Sequence, residues 1–200
     1  MMRGSSQNNV PPATAELKHF VNGAGTQAGF TFVRYWWDGP GKRPGITNWI
    51  EKKVRVGSDP EFGNAARSEV LLPRHASGEY AKLDFLLARF DATLPAYERH
   101  AFVQVKVELP RCEPYHVGYE VVRNFARKHF TIERAHPVVS VAHLPGMAGS
   151  ENAPHVHAIV LARELGPNGF SETSTRLCSD KGQIDAWEAW QPHLAEWRSC

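Results

Sequence analysis

The spacing of apolar positions changes along the chain, and each change predicts an element. Leu83, Leu86, Leu87 and Phe90 recur three and four residues apart, which predicts an amphipathic helix over residues 79–91. Val103, Val105, Val107 and Leu109 then alternate with Gln104, Lys106 and Glu108, the period-two pattern of a half-buried strand, ended by Pro110. Residues 115–130 return to helical spacing, with Val117, Val121, Val122 and Phe125 on one side and Arg123, Arg127 and Lys128 on another. Two apolar strands are expected at 137–143 and 155–162, joined by the loop Leu144–Pro154. Ile184, Trp187, Trp190, Leu194 and Trp197 form the apolar stripe of a C-terminal helix, for which Asp180 is the expected cap.

The first third is less regular. Residues 1–15 read as a flexible tail, followed by a Gly-rich stretch from Val21 to Thr26. An aromatic cluster comes next at Phe30, Phe32, Tyr35, Trp36 and Trp37, and residues 38–68 read as loop. Helices and strands in this order predict one α+β domain over residues 16–200, an antiparallel sheet with helices packed on it.

Composition narrows the function. The 200 residues are 42% hydrophobic and 22% charged, enough to bury a core and too apolar for disorder throughout. No apolar run approaches the roughly 20 residues a membrane helix needs, so no membrane insertion is expected. The polar opening Met1–Thr14 has no apolar core, so no signal peptide is expected either. Three scattered cysteines (Cys112, Cys178, Cys200) give neither a disulfide framework nor a CxxC pair, and a cytoplasmic, reducing setting follows as the expectation. A net charge of +2 argues against a generic basic coat for nucleic acid, while leaving room for a local basic groove. Ten histidines place any metal chemistry on imidazole.

The sharpest motif is Pro154-His155-Val156-His157. Strand residues two apart share a face, so His155 and His157 stand together, as do Val139, Val141 and His143 on the preceding strand. If those strands pair about the 144–154 loop, three imidazoles converge. Such a set leaves a divalent metal with open positions for water or a phosphate oxygen. The competing reading is three ordinary, satisfied histidines, and spacing alone leaves both open.

The segment from Phe102 to Trp190 resembles the MobA/MobL mobilisation proteins, plasmid relaxases of the HUH endonuclease superfamily. The residues carrying this stand in the family's order: a strand ending in Leu109-Pro110, the helix around Asn124–Phe130, His143, then Pro154-His155-Val156-His157. Leu165-Gly166-Pro167-Asn168-Gly169-Phe170 and Trp187-Glu188-Ala189-Trp190 follow, again in family style. The resemblance implies site- and strand-specific nicking and rejoining of single-stranded DNA at a plasmid transfer origin, through a tyrosyl-DNA intermediate. It implies a divalent metal, Mg or Mn with Zn or Ni as alternatives, held by His143, His155 and His157. No nucleotide cofactor is implied. Relaxosome accessory proteins and a coupling protein are the partners expected alongside DNA.

The sequence departs from the family pattern at Gly25–Val33, where the gap-free register puts Phe32 at the nucleophile position. Tyr35 follows three residues later and is the candidate nucleophile, on Phe32's side if the segment is helical and opposite if it is a strand. Tyr80, Tyr97, Tyr115 and Tyr119 are weaker candidates. Pro145 stands where relatives often carry an acidic residue. Lys42, Arg43, Lys52, Lys53 and Arg55, interleaved with Trp36, Trp37 and Trp49, suit a surface that stacks bases and holds phosphates. Two rivals to a working nickase remain: a degenerate relaxase homologue that binds DNA or a relaxosome partner without cutting, and a histidine-metal hydrolase using Glu151 or Glu164 with a metal-bound water.

Overall fold

Residues 14–39, 41–55, 65–110 and 114–197 are described by the structure, a computed structural model. The strands are β1 (Glu16–Phe20), β2 (Thr26–Gln27), β3 (Phe30–Asp38), β4 (Ala65–Leu71), β5 (His100–Glu108), β6 (Val138–His143), β7 (His155–Leu161), β8 (Arg163–Gly166) and β9 (Gly169–Thr173). The helices are α1 (Thr47–Val54), α2 (Leu83–Ala92), α3 (Tyr115–Ala126) and α4 (Asp180–Trp197). Seven strands form one sheet in the order β1-β3-β5-β7-β6-β4, with β2 paired to β3, and every pairing is antiparallel. The fold is therefore the expected α+β arrangement.

Helices cover both faces, which explains why β6 and β7 are buried on both sides. On one face Phe30, Val105, Val138, Val156 and Val160 pack beneath α3 and α4. Phe30 meets Trp187 at a ring distance of 5.5 Å, and Phe125 meets Trp190 at 5.2 Å. On the other face Phe102, Val139, Val141, Ile159 and Leu161 pack beneath α1 and α2. Gln104, Lys106 and Glu108 belong to this second face by alternation along β5.

The helix expected over 115–130 ends its α-helical part at Ala126 and continues as a π-helical turn over Arg127–Ile132. The wider turn lets three successive residues, His129, Phe130 and Thr131, all be buried. His129 lies flat on Phe125 and accepts a hydrogen bond from the Arg134 guanidinium at Nδ1 (3.0 Å). His136 donates from Nδ1 to the Leu161 carbonyl (2.9 Å). The loop Pro167-Asn168 turns the β8–β9 hairpin, with Gly169 at φ +101°.

Several expectations need correction. Residues 38–68 are not all loop, since α1 and the start of β4 lie there. Helix α1 has no side-chain N-cap of its own. Instead Asp91 on α2 accepts from the Ile46 backbone N–H and the Thr47 hydroxyl, each at 3.1 Å. Strand β4 is a polar edge strand whose Glu69 accepts from the Tyr119 hydroxyl (2.7 Å) and the Arg123 guanidinium. In α4, Asp180 lies within the first turn and pairs with Arg34 (3.0 Å), and Ile184 is 53% exposed rather than part of the buried stripe. Of the expected tail, residues 1–13 lie outside the described residues, while Ala15 is buried and bonds the Lys42 carbonyl (3.1 Å). Cys178 is a free, buried thiol; Cys112 and Cys200 also lie outside the described residues.

Two measurements check this packing. Trp190→Ala removes a fully buried ring and is expected to cost about 3–5 kcal/mol in urea unfolding, with Ile184→Ala within about 0.5 kcal/mol of wild type. Burial holds His129 and His136 at about 4, below the ordinary histidine value, so both are neutral in the native state and gain protons on unfolding. Stability is then full above about pH 6.5 and falls as pH drops from there towards 4. An unfolding midpoint unchanged between pH 7.5 and 5 contradicts neutral buried imidazoles.

Candidate functional site

Strands β6 and β7 pair so that His143 stands directly opposite His155, with His157 opposite Val141. All three imidazoles project from the α1–α2 face at one end of the sheet. Their ring centroids lie 5.3 Å (His143–His155), 5.0 Å (His143–His157) and 4.8 Å (His155–His157) apart. His143 and His157 are buried, and His155 is half-buried at the rim. Burial lowers the basicity of all three, His143 to about 4, with neighbouring imidazoles and Lys53 adding to the effect on His143 and His157. Neutral imidazole is the form that ligates a metal.

Do these residues fit a cation? His155 donates from Nδ1 to the Ala153 carbonyl (2.9 Å), which leaves the Nε2 lone pair as donor, the usual support for a ligating histidine. Nδ1 of His157 is buried without a hydrogen-bond partner, an atom that coordination would satisfy. Among the described residues, however, no three His, Cys, Asp or Glu side chains already present their donor atoms as a metal-holding group. The residue types and their burial suit a divalent cation.

Two residues that the sequence pattern assigned to a solvent face belong to this neighbourhood. Lys106 is the β5 register partner of His157, and Glu108 is that of His155. Lys106 Nζ and Glu108 Oε1 are 3.2 Å apart. Their signal was the alternation at 104, 106 and 108, which marks one face without saying what that face meets. Glu108 is a carboxylate close to the histidines, where Pro145 supplies none. Glu164 stands on β8, beyond the far end of β7, and Glu151 lies in the 144–154 loop.

The segment holding Tyr35 is a strand, so Phe32 and Tyr35 face opposite ways. Phe32 is buried against α3 and α4, and Tyr35 is on the histidine face. Yet Tyr35 pairs with Phe102, four residues along β5 from Lys106, or about 13 Å at a strand's rise. It stacks on Phe102 (4.4 Å) and packs against Trp49 (5.0 Å) and His19 (5.6 Å). Burial pushes its phenol up to about 12. Tyr119 is tied to Glu69 on the opposite face, Tyr80 is buried, and Tyr97 and Tyr115 are exposed.

The proposed DNA contacts divide. Trp37 is corrected: it is 2% exposed, sealed in the core beside α1 and α2, and closed to a base. The Arg43 guanidinium is engaged by the Pro95 carbonyl (2.8 Å) and the Ala96 carbonyl. Trp36 is half-buried on the face away from the histidines, beside Arg34 and Phe20 in a recess of about 370 Å³. Lys42, Lys52 and Arg55 are exposed. The Lys53 ammonium lies 5.3 Å from the centre of the Trp49 ring, and its charge lowers the basicity of His157.

No protein-family model matches the chain, and no curated protein does. Two chains of solved structures match. One comes from a structure of the molecular basis of vancomycin resistance transfer in Staphylococcus aureus, with 15% identity and a TM-score of 0.57. The alignment covers 92% of this chain and 94% of that one. At that identity the likeness is one of fold, and it extends over nearly the whole of both chains.

Proposed function

We propose that this chain is a relaxase-type protein that nicks and rejoins single-stranded DNA, with His143, His155 and His157 holding a divalent cation against the scissile phosphate. The observation that carries this reading is the clustering of three neutral imidazoles from β6 and β7 at one end of the sheet. Support also comes from the fold, shared with a protein whose structure concerns transfer of vancomycin resistance, and from the family-like order of motifs. The absence of a membrane-length apolar helix among the described residues is compatible with it. A bound cation supplies charge that offsets the negative charge growing on the phosphate oxygens.

The chain's own residues do the rest. Burial keeps the imidazoles deprotonated and ready to ligate, and the Ala153 carbonyl fixes the tautomer of His155. Lys42, Lys52, Lys53 and Arg55 are the proposed phosphate contacts. Tyr35 is the proposed nucleophile: its phenolic oxygen forms a bond to phosphorus as the bond to the departing 3′ oxygen breaks, and its proton passes to that oxygen. The reverse step rejoins the strand. A phenol held near 12, two strands from His157 and offset from it by about 13 Å along the strand direction, must be exposed and brought closer for this to proceed. That packing favours a second reading, a relaxase homologue that binds DNA without cutting it.

The test mixes the protein with Mn²⁺ and labelled single-stranded DNA from a neighbouring transfer origin, followed on denaturing gels. A metal-dependent protein–DNA adduct is expected, reduced at least about 100-fold by His155→Ala or His157→Ala and abolished by Tyr35→Phe. An adduct that survives Tyr35→Phe moves the nucleophile to another residue. Bound but uncut DNA establishes the second reading, and cutting without an adduct points to a histidine-metal hydrolase.

A further inference from the structure

The three imidazoles share their face of the sheet with two ammonium groups. Lys106 is the register neighbour of His157, so their Cβ atoms stand about 5 Å apart. Lys53 reaches in from α1, one turn after Trp49, whose ring supports its ammonium. The Lys53 charge acts on all three histidines, and Lys53 and Lys106 repel one another. Glu108 sits beside Lys106, and its carboxylate is half exposed. Burial and the like charge of Lys106 lower the basicity of Lys53. A partly desolvated ammonium beside a second one and three uncharged rings is an arrangement that an anion stabilises.

We propose that Lys53 and Lys106 form an oxyanion subsite over the histidine cluster, which takes one phosphate group of a single-stranded DNA backbone and makes cation and phosphate binding interdependent. The interdependence rests on the cation reading of the histidines; the phosphate subsite does not. With the subsite empty, the Lys53 ammonium and that of Lys106, the latter already paired with Glu108, oppose a divalent ion at the histidines. A phosphodiester between them carries the charge that offsets both. Each ligand then raises the affinity of the other by the same factor.

The experiment measures Mn²⁺ binding by electron paramagnetic resonance, and binding of a fluorescent single-stranded oligonucleotide by anisotropy over a range of salt. For the wild type, the oligonucleotide is expected to tighten Mn²⁺ binding about tenfold or more, with the reciprocal gain for the oligonucleotide. Lys53→Gln and Lys106→Gln should each weaken oligonucleotide binding and lower the log–log salt slope by about 0.7. Both should tighten Mn²⁺ binding when no oligonucleotide is present. Lys128→Gln, exposed on the opposite side of the molecule, should change neither. Inorganic phosphate that reproduces the gain in Mn²⁺ affinity supports a subsite reading the phosphate group itself; a gain confined to the oligonucleotide supports one reading phosphate within a strand. Lysine-dependent oligonucleotide binding with no Mn²⁺ bound to any variant keeps the subsite and overturns the interdependence together with the cation reading. Oligonucleotide affinity and salt slope unchanged in the double lysine variant overturn the proposal.

Discussion

The antiparallel register between β6 and β7 is the constraint on which the site depends. It sets His143 opposite His155 and brings His157 beside them. Side chains alternate along a strand, so a slip of one residue in either strand sends its histidines to the α3–α4 face. Both strands are central and apolar on both faces, and a slip would also misalign Val139, Val141, Ile159 and Leu161 with their cavities beneath α1 and α2. The core therefore fixes the polar cluster. The end of the sheet is tied down as well: the Glu108 N–H donates to the Gly29 carbonyl (2.9 Å) and the Leu109 N–H to the Pro154 carbonyl (2.8 Å).

The two faces divide the work. Beneath α3 and α4 lies a continuous aromatic and aliphatic core around Phe30, Phe125 and Trp190, which carries much of the apolar burial. Beneath α1 and α2 the core gives way towards one end to Gln104, Lys106, Glu108 and the histidines. Helix α1 links the two regimes, with Ile50 in the core and Lys53 at the histidines. Its short length gives it little stability of its own. The two hydrogen bonds from its N-terminus to Asp91 hold it against α2, so a carboxylate remote from the imidazoles decides where Lys53 sits.

Much of this was legible in the sequence because the central strands and α2 obey simple periods. The His-x-His motif and His143 fall on strands, where residues two apart share a face, and the register of β6 on β7 then brings the three together. Helix α1 was hidden because one fully buried residue in eight leaves almost no periodic signal. Strand β4 was hidden because an edge strand carrying Arg67 and Glu69 reads as polar loop. The aromatic run Tyr35-Trp36-Trp37 promised a stacking surface, yet Trp37 points into the core and Trp36 to the far face, a difference that only the sheet's pairing decides. Lys106 and Glu108 alternate with valines as solvent-facing residues do, and the neighbouring strand that sets the histidines beside them is distant in sequence.

On the proposed reading, the three histidines are one cation site rather than three separately satisfied imidazoles. Crystals grown with Mn²⁺ and a single-stranded oligonucleotide, with diffraction measured at the manganese edge, test it most directly. One strong anomalous peak is expected about 2.1 Å from a ring nitrogen of each of His143, His155 and His157, with a phosphate oxygen on the open side. A peak at other residues, or none among the three rings while manganese is present in the solution, contradicts it.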